Sequence, residues 1–183
     1  MALDWNVDSS WTLFLDRDGV INHRIMGGYV TCIEEFKFLE GVLEAFSEFN
    51  LLFSNVFIVT NQQGISKGIM EERNLLEVHR YMEDEVVKAK GKITKSYYAP
   101  ELKSDEHSTR KPKPAMALKA KEEFPSIDFS KSIMIGDTDS DIIFGKNLGM
   151  KTVRIKTVEP IGIEADLTCL SLKEFSELLN YEK

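Results

Sequence analysis

The sequence predicts an α/β protein built on a doubly wound, Rossmann-like parallel sheet, as one domain spanning residues 1–183. Two observations predict it. Short apolar runs without polar alternation recur along the chain, as expected of parallel strands covered on both faces. Between them lie stretches whose apolar residues follow helical spacing, and strand-helix alternation of this kind builds a parallel sheet with helices on both sides.

The elements follow in order. Residues 11–15 (Trp-Thr-Leu-Phe-Leu) read as the first strand and run into Asp16-Arg17-Asp18-Gly19. Val42, Leu43, Ala45, Phe46 and Phe49 mark the first helix. Residues 56–59 form the second strand and lead into Thr60-Asn61-Gln62-Gln63-Gly64. Leu75, Val78, Met82 and Val86 line a longer helix, whose Glu83-Asp84-Glu85 run reads as its wet face. Residues 96–98 are a third strand. Arg110-Lys111-Pro112-Lys113-Pro114 follows, and Pro114 suits the first turn of a helix carrying Met116, Ala117 and Ala120. Residues 132–135 are the fourth strand, ending in Gly136-Asp137-Thr138-Asp139-Ser140-Asp141. Ile142, Ile143 and Leu148 mark the next helix, stopped by Gly149. Residues 152–155 and 167–169 are the last strands, and Leu172, Phe175, Leu178 and Leu179 close the chain on a helix. No repeat, linker or low-complexity stretch interrupts this order.

Composition narrows the function. A net charge of −7 repels nucleic-acid phosphates, so no nucleic-acid partner is expected. The two cysteines, Cys32 and Cys169, lack metal-type spacing and argue against a disulfide framework. Residues 1–10 carry no apolar core of a secretory signal, and no apolar run approaches the roughly 18 residues of a membrane span. A cytoplasmic protein without a membrane partner is expected, and a monomer.

Ligands of an open parallel sheet bind beyond the carboxyl ends of its strands. Taken singly, an Asp-x-Asp pair, a Thr-Asn pair or a Gly-Asp turn is most simply a cap or a turn, and a basic loop is most simply solvated. Here three strand ends aim Asp16, Asp18, Thr60 and Asp137 at one edge, with Arg110 and Lys111 available beside them. Like charges about 4 Å apart repel by roughly 4 kcal/mol at an effective dielectric near 20. Such carboxylates must protonate or bind a cation, and a hard dication with oxygen ligands, Mg²⁺, fits. With an entering phosphate dianion, the three carboxylates and the ligand together outweigh the dication, so the nearby basic residues are required rather than incidental.

This set resembles the haloacid dehalogenase (HAD) superfamily of phosphatases, over roughly residues 10–155. The resemblance implies a HAD-like fold and a magnesium-dependent phosphomonoesterase that forms an aspartyl-phosphate. Asp16 would be the nucleophile, already ionised at neutral pH. Asp18 would protonate the leaving alcohol and then deprotonate water, which requires a raised pKa. Asp16, the backbone carbonyl of Asp18, and Asp137 would hold the metal, with Asp141 either behind them as a supporting carboxylate or a direct ligand itself. Thr60 would donate to a phosphoryl oxygen, and Lys111 would stabilise Asp16 and the transferring group.

A closer resemblance lies in Phe14-Leu15-Asp16-Arg17-Asp18-Gly19-Val20-Ile21-Asn22, Gly28-Tyr29-Val30, Phe38-Leu39-Glu40-Gly41-Val42, Val59-Thr60-Asn61-Gln62-Gln63-Gly64-Ile65 and Arg110-Lys111-Pro112. These segments are similar to the D-glycero-D-manno-heptose 1,7-bisphosphate 7-phosphatases, and the histidinol-phosphate phosphatases share much of the pattern. The resemblance implies a small phosphorylated sugar as substrate. Arg110 would grip a phosphate bidentately, and Asn61 and Gln62 would contact substrate or the adjoining loop. The resemblance implies a zinc loop with Cys-x-His after the third strand and Cys-x-Cys before Arg-Lys-Pro, but the matching positions here are Ala99 and Glu101, then His107 and Thr109, so no zinc is expected.

Helices and strands account for most of residues 19–59 and 61–110, so no large cap domain is expected. The loops after Asp18, after Gln63 and around Leu102 to Ser108 are then left to define the substrate. His23 is the histidine to watch, Gly27 and Gly28 allow a sharp turn, Gly64 to Gly68 form either a phosphate nest around Ser66 and Lys67 or a plain loop, and Lys113 faces solvent. Other small-molecule phosphatases, a polynucleotide 3′-phosphatase and a non-catalytic binding protein on the same fold are the competing readings.

Overall fold

The structure, a computed structural model, describes residue 3 and residues 5–180. Residues 1, 2, 4 and 181–183 of the expected single domain lie outside the described residues. Six strands, β1 (Thr12–Leu15), β2 (Asn55–Asn61), β3 (Lys95–Ala99), β4 (Ser132–Gly136), β5 (Lys151–Ile155) and β6 (Leu167–Cys169), form one sheet in the order β3-β2-β1-β4-β5-β6. Every pairing is parallel. Five α-helices alternate with them: α1 (Val42–Leu52), α2 (Glu72–Lys88), α3 (Ala115–Glu123), α4 (Asp139–Asn147) and α5 (Leu172–Asn180). All six expected strands and all five expected helices are present.

The unalternating apolar runs have a direct physical origin. Successive side chains of a strand point to opposite faces, so a strand covered on both sides must be apolar at every position. On one face, Leu13 and Leu15 of β1, Val56 and Ile58 of β2, and Ile133 and Ile135 of β4 pack with Phe46 and Phe49 of α1, Val78, Met82 and Val86 of α2, and Phe175 of α5. On the other, Phe14, Phe57, Val59 and Met134 pack with Met116, Ala117 and Ala120 of α3 and Phe144 of α4. The Glu83-Asp84-Glu85 run departs from the expected wet face, because Glu83 is half-buried and accepts a hydrogen bond from Ser96 of β3 at 2.7 Å.

The register fixes where the strands end together. Leu15 pairs with Ile58 on one side and Ile135 on the other, and the Asp16 amide continues the ladder to the Ile135 carbonyl at 2.9 Å. The chain moves outward from β1 through β2 to β3, then returns to start β4 on the opposite side of β1. This reversal beside β1 is the switch point at which open α/β sheets leave a crevice. Asp16, Thr60 and Asp137 therefore emerge at neighbouring strand ends.

Candidate active site

Each strand end supplies its side chain through local backbone geometry. Gly19 adopts φ +87°, and a Cβ there would collide with the Asp137 carboxylate, so the Asp-x-Asp turn demands glycine on two independent grounds. The Gly19 amide donates to the Asn22 carbonyl at 2.8 Å and closes this turn. Thr138 caps α4: Asp141 Oδ2 accepts from its amide at 3.0 Å and from its hydroxyl at 2.7 Å. That capping box fixes Asp141 with its other oxygen, Oδ1, free to pair elsewhere.

The result is a buried ion network. Lys111 Nζ lies 2.9 Å from Asp16 Oδ1 and 2.6 Å from Asp141 Oδ1, with both carboxylates and the ammonium almost wholly removed from solvent. Burial alone would lower the Lys111 pKa, but Asp141 and Asp16 outweigh it and raise it. Burial, helped by the neighbouring Asp141 and Asp18, raises Asp16 above the usual carboxylate range against the pull of Lys111. Asp137 is pushed up to about 7, chiefly by burial and then by Asp16. Crowded carboxylates whose charged forms are disfavoured in this way are what a bound cation relieves. Asp16, Asp137 and Asp141 offer oxygens all within 4.8 Å of one another, the one such group among the described residues.

A cation already sits against two of the expected ligands. Arg24 Nη2 donates to both oxygens of Asp137 at 2.8 and 3.0 Å and to the Asp18 carbonyl at 3.0 Å. The site thus attracts positive charge at the positions that the superfamily resemblance assigned to magnesium, and a hard dication fits this all-oxygen donor set.

Asp18 differs from expectation. Arg17, fully buried, donates to both its oxygens at 2.9 and 3.0 Å, and Asn22 and Gln62 add one hydrogen bond each at 2.9 Å. Although burial would raise its pKa, these partners, Arg17 first, hold it below the usual carboxylate range. This arrangement therefore does not give Asp18 the raised pKa expected of an acid. Arg17 is in turn braced by His79 across 3.3 Å, and burial followed by the Arg17 charge pushes that imidazole down to about 3. A neutral imidazole can accept the guanidinium hydrogen bond.

The expected substrate residues divide. Asn61 binds the adjoining loop: its Nδ2 donates to the Lys111 carbonyl at 3.2 Å and its Oδ1 accepts from the Lys111 amide at 2.9 Å. Gln62 meets neither substrate space nor that loop; it is fully buried and donates to Asp18 and to the Thr60 hydroxyl, both at 2.9 Å. Thr60, buried, and Arg110, half-buried, line the cleft with Asp16, Asp18 and Lys111. Arg110 donates to the Glu101 carbonyl at 3.3 Å. His23 is exposed and does not line the cleft. Lys67, Gly68 and Ile69 commit their amides to the carbonyls of Gln63, Ile65 and Gly64, so this segment is a closed turn rather than an open nest. Its Lys67 instead donates to the Tyr29 hydroxyl at 2.9 Å. Lys113 is exposed but hydrogen-bonds the Glu106 carbonyl.

The cleft measures about 1050 Å³ and opens between the loops after Asp18, after Gln63 and around residues 103–108. In the last of these, the Thr109 hydroxyl donates to both oxygens of Glu101 at 2.9 and 3.1 Å. Two of the positions where the resemblance expected zinc ligands are thereby joined by a side-chain hydrogen bond. Sequence reasoning missed Arg24, Arg17 and His79. For Arg24 a signal existed: it is a lone cation in the loop beside a site with surplus negative charge. For His79 there was none, since it lies far from Arg17 in sequence.

A parallel sheet with a switch-point aspartate, a lysine on that aspartate and a carboxylate cluster at one edge is the architecture of the HAD-like hydrolases. Residues 108–159 match the HAD-hydrolase-like family model. The chain is 41% identical to the D-glycero-alpha-D-manno-heptose-1,7-bisphosphate 7-phosphatase of Campylobacter jejuni, over 93% of this chain and 95% of that protein. It is 32% identical to the D-glycero-beta-D-manno-heptose-1,7-bisphosphate 7-phosphatase of Helicobacter pylori strain J99, over 92% of this chain and 96% of that protein. The chain belongs to this heptose-bisphosphate phosphatase family of HAD-like hydrolases. Its fold is also similar to the crystal structure of D,D-heptose 1.7-bisphosphate phosphatase from B. bronchiseptica complexed with magnesium and phosphate, at TM-score 0.83, 22% identity, 94% of this chain and 99% of that one.

Proposed function

We propose that the chain is a magnesium-dependent phosphomonoesterase that removes the 7-phosphate of D-glycero-D-manno-heptose 1,7-bisphosphate through an aspartyl-phosphate on Asp16. The observation that carries this reading is the Asp16 carboxylate held 2.9 Å from Lys111 at the switch-point cleft, with Asp18 two residues on. Asp16 attacks phosphorus with a carboxylate oxygen. Lys111 neutralises both Asp16 and the oxygens of the transferring group. Thr60 holds a phosphoryl oxygen from the neighbouring strand. A dication held by Asp16, the Asp18 carbonyl and Asp137 would supply charge stabilisation for the phosphoryl oxygens. A phosphate dianion entering beside Asp18 raises its proton affinity, which favours the proton it must give to the leaving alkoxide. As a carboxylate, Asp18 then takes a proton from the water that opens the acyl phosphate.

The open cleft places specificity in contacts remote from the reacting phosphate. Arg110, Lys67, Lys103 and Lys113 line it and offer cations for a second phosphate. A cytoplasmic, monomeric protein is part of the proposal. Among the described residues, no helix is long and apolar enough to cross a membrane.

The test is phosphate release measured under one magnesium concentration and pH, over both anomers of the heptose 1,7-bisphosphate, histidinol phosphate and a 3′-phosphorylated oligonucleotide. The bisphosphate should show the highest kcat/KM, with loss at carbon 7. Arg110→Ala should lower that value about 10- to 150-fold, the range of one charge-assisted contact. A better reaction with histidinol phosphate or the oligonucleotide overturns the heptose assignment and leaves the phosphatase reading standing.

A further inference from the structure

We propose that Arg24 is an internal counter-cation of the metal site, occupying the place of the dication in the metal-free protein and setting metal affinity because metal enters by displacing it. The inference rests on the magnesium reading above and concerns how the site fills.

The geometry carries it. Arg24 Nη2 touches the Asp137 carboxylate at 2.8 and 3.0 Å and the Asp18 carbonyl at 3.0 Å, two of the three groups assigned to the metal. Asp16, the third, also acts on the guanidinium: desolvation opposes its charge, but Asp137, Asp16, Glu159 and Asp18 together raise its pKa. Arg24 lines the cleft whereas Asp137, its side chain wholly shielded from solvent, does not. An entering cation therefore reaches Asp137 only after the guanidinium has moved.

The side chain is suited to move. It belongs to the loop after Asp18, is 31% exposed, and has Glu159 on the cleft rim 3.8 Å from its Nε. That Nε has no hydrogen-bond partner, so the guanidinium satisfies the pocket less fully than a group built for permanent residence. It also brings one positive charge where a dication brings two. The pocket stays short of neutral while Arg24 holds it, and exchange for a dication is electrostatically downhill. The apparent metal affinity is the intrinsic affinity scaled by the fraction of molecules in which Arg24 has left.

The test measures binding rather than turnover. Mn²⁺ is titrated into metal-free wild type and Arg24→Met, with free ion followed by electron paramagnetic resonance. The variant should bind about 10-fold or more tightly, the weight of a lost charge-assisted competitor. Its metal-free form should also melt lower than wild type, with the difference shrinking at saturating Mn²⁺. In wild type, the arginine Nε–H resonance assigned to Arg24 should shift and exchange faster with water when saturating Mg²⁺ is added. Equal or weaker Mn²⁺ binding by a folded variant, or an Arg24 resonance indifferent to Mg²⁺, overturns the displacement while leaving the metal reading intact. Absence of binding in both proteins removes the metal reading and this inference with it.

Discussion

At the residue scale, the site is defined by which charges face each other. Asp16 has Lys111 against it and sits at the cleft, so the proposed nucleophile has a fixed cation beside it for the developing charge. Asp16→Asn keeps the size and removes the attacking charge. Phosphate release should fall on the order of 10³-fold or more, with the far-ultraviolet circular dichroism spectrum unchanged. Retention of more than a few per cent of turnover contradicts the assignment. Asp16, Asp18 and Asp137 were legible in the sequence because each directly follows an apolar run whose end the sheet fixes, and Lys111 through the resemblance carried by Arg110-Lys111-Pro112. Gln62 was misread because its fate depends on side-chain direction: its neighbour Asn61 binds the Lys111 loop, while Gln62 itself turns inward to Asp18 and Thr60. Asp18 shows the same gap. Its pKa follows from the bidentate contact with Arg17, which adjacency in sequence does not reveal.

At the element scale, α4 joins folding to the site. Thr138 and Asp141 form its capping box, and the same Asp141 holds Lys111 with its second oxygen. One helix terminus thereby orients the cation that faces Asp16. Gly136, just before it, leaves no room for a Cβ because the Asp141 side chain packs over it. Thr138→Ala removes the cap hydroxyl. It should cost about 1 kcal/mol in urea unfolding. Because Asp141 loses a partner, kcat should fall more than KM rises. A variant that loses stability with kcat intact would show that the cap serves α4 alone. The position of α4 was legible from Gly149 and the apolar spacing before it. The double use of Asp141 was not, because it needs the loop bearing Lys111 to fold back from the far side of β2.

At the scale of the whole molecule, the carboxyl ends of β1 and β4 gather Asp16, Asp18, Asp137 and Asp141, more negative charge than Arg17, Arg24 and Lys111 compensate. Metal binding should therefore stabilise the folded protein by mass action, by about 2.7 kcal/mol at a hundredfold excess over Kd. Mg²⁺ should raise the melting temperature of wild type, and chelator should reverse it and abolish turnover. Asp137→Asn should remove most of the metal-dependent rise while leaving the core packing, and thus cooperative unfolding, in place. A melting temperature indifferent to Mg²⁺ in wild type contradicts this account of the acidic cluster.

The sequence by itself determined the architecture, since strands covered on both faces must be apolar at every position and their ends then carry the polar residues to one edge. It also determined the family, through Asp16-Arg17-Asp18-Gly19, Thr60-Asn61-Gln62 and Arg110-Lys111-Pro112. Only the tertiary structure decided the pairings across the cleft: Lys111 between Asp16 and Asp141, Arg24 on Asp137, His79 behind Arg17, and Thr109 on Glu101. The reason is physical. Strand register follows from local apolar pattern repeated along the chain, whereas each of these contacts joins side chains from separate loops or elements, whose directions are set by packing rather than by neighbours in sequence.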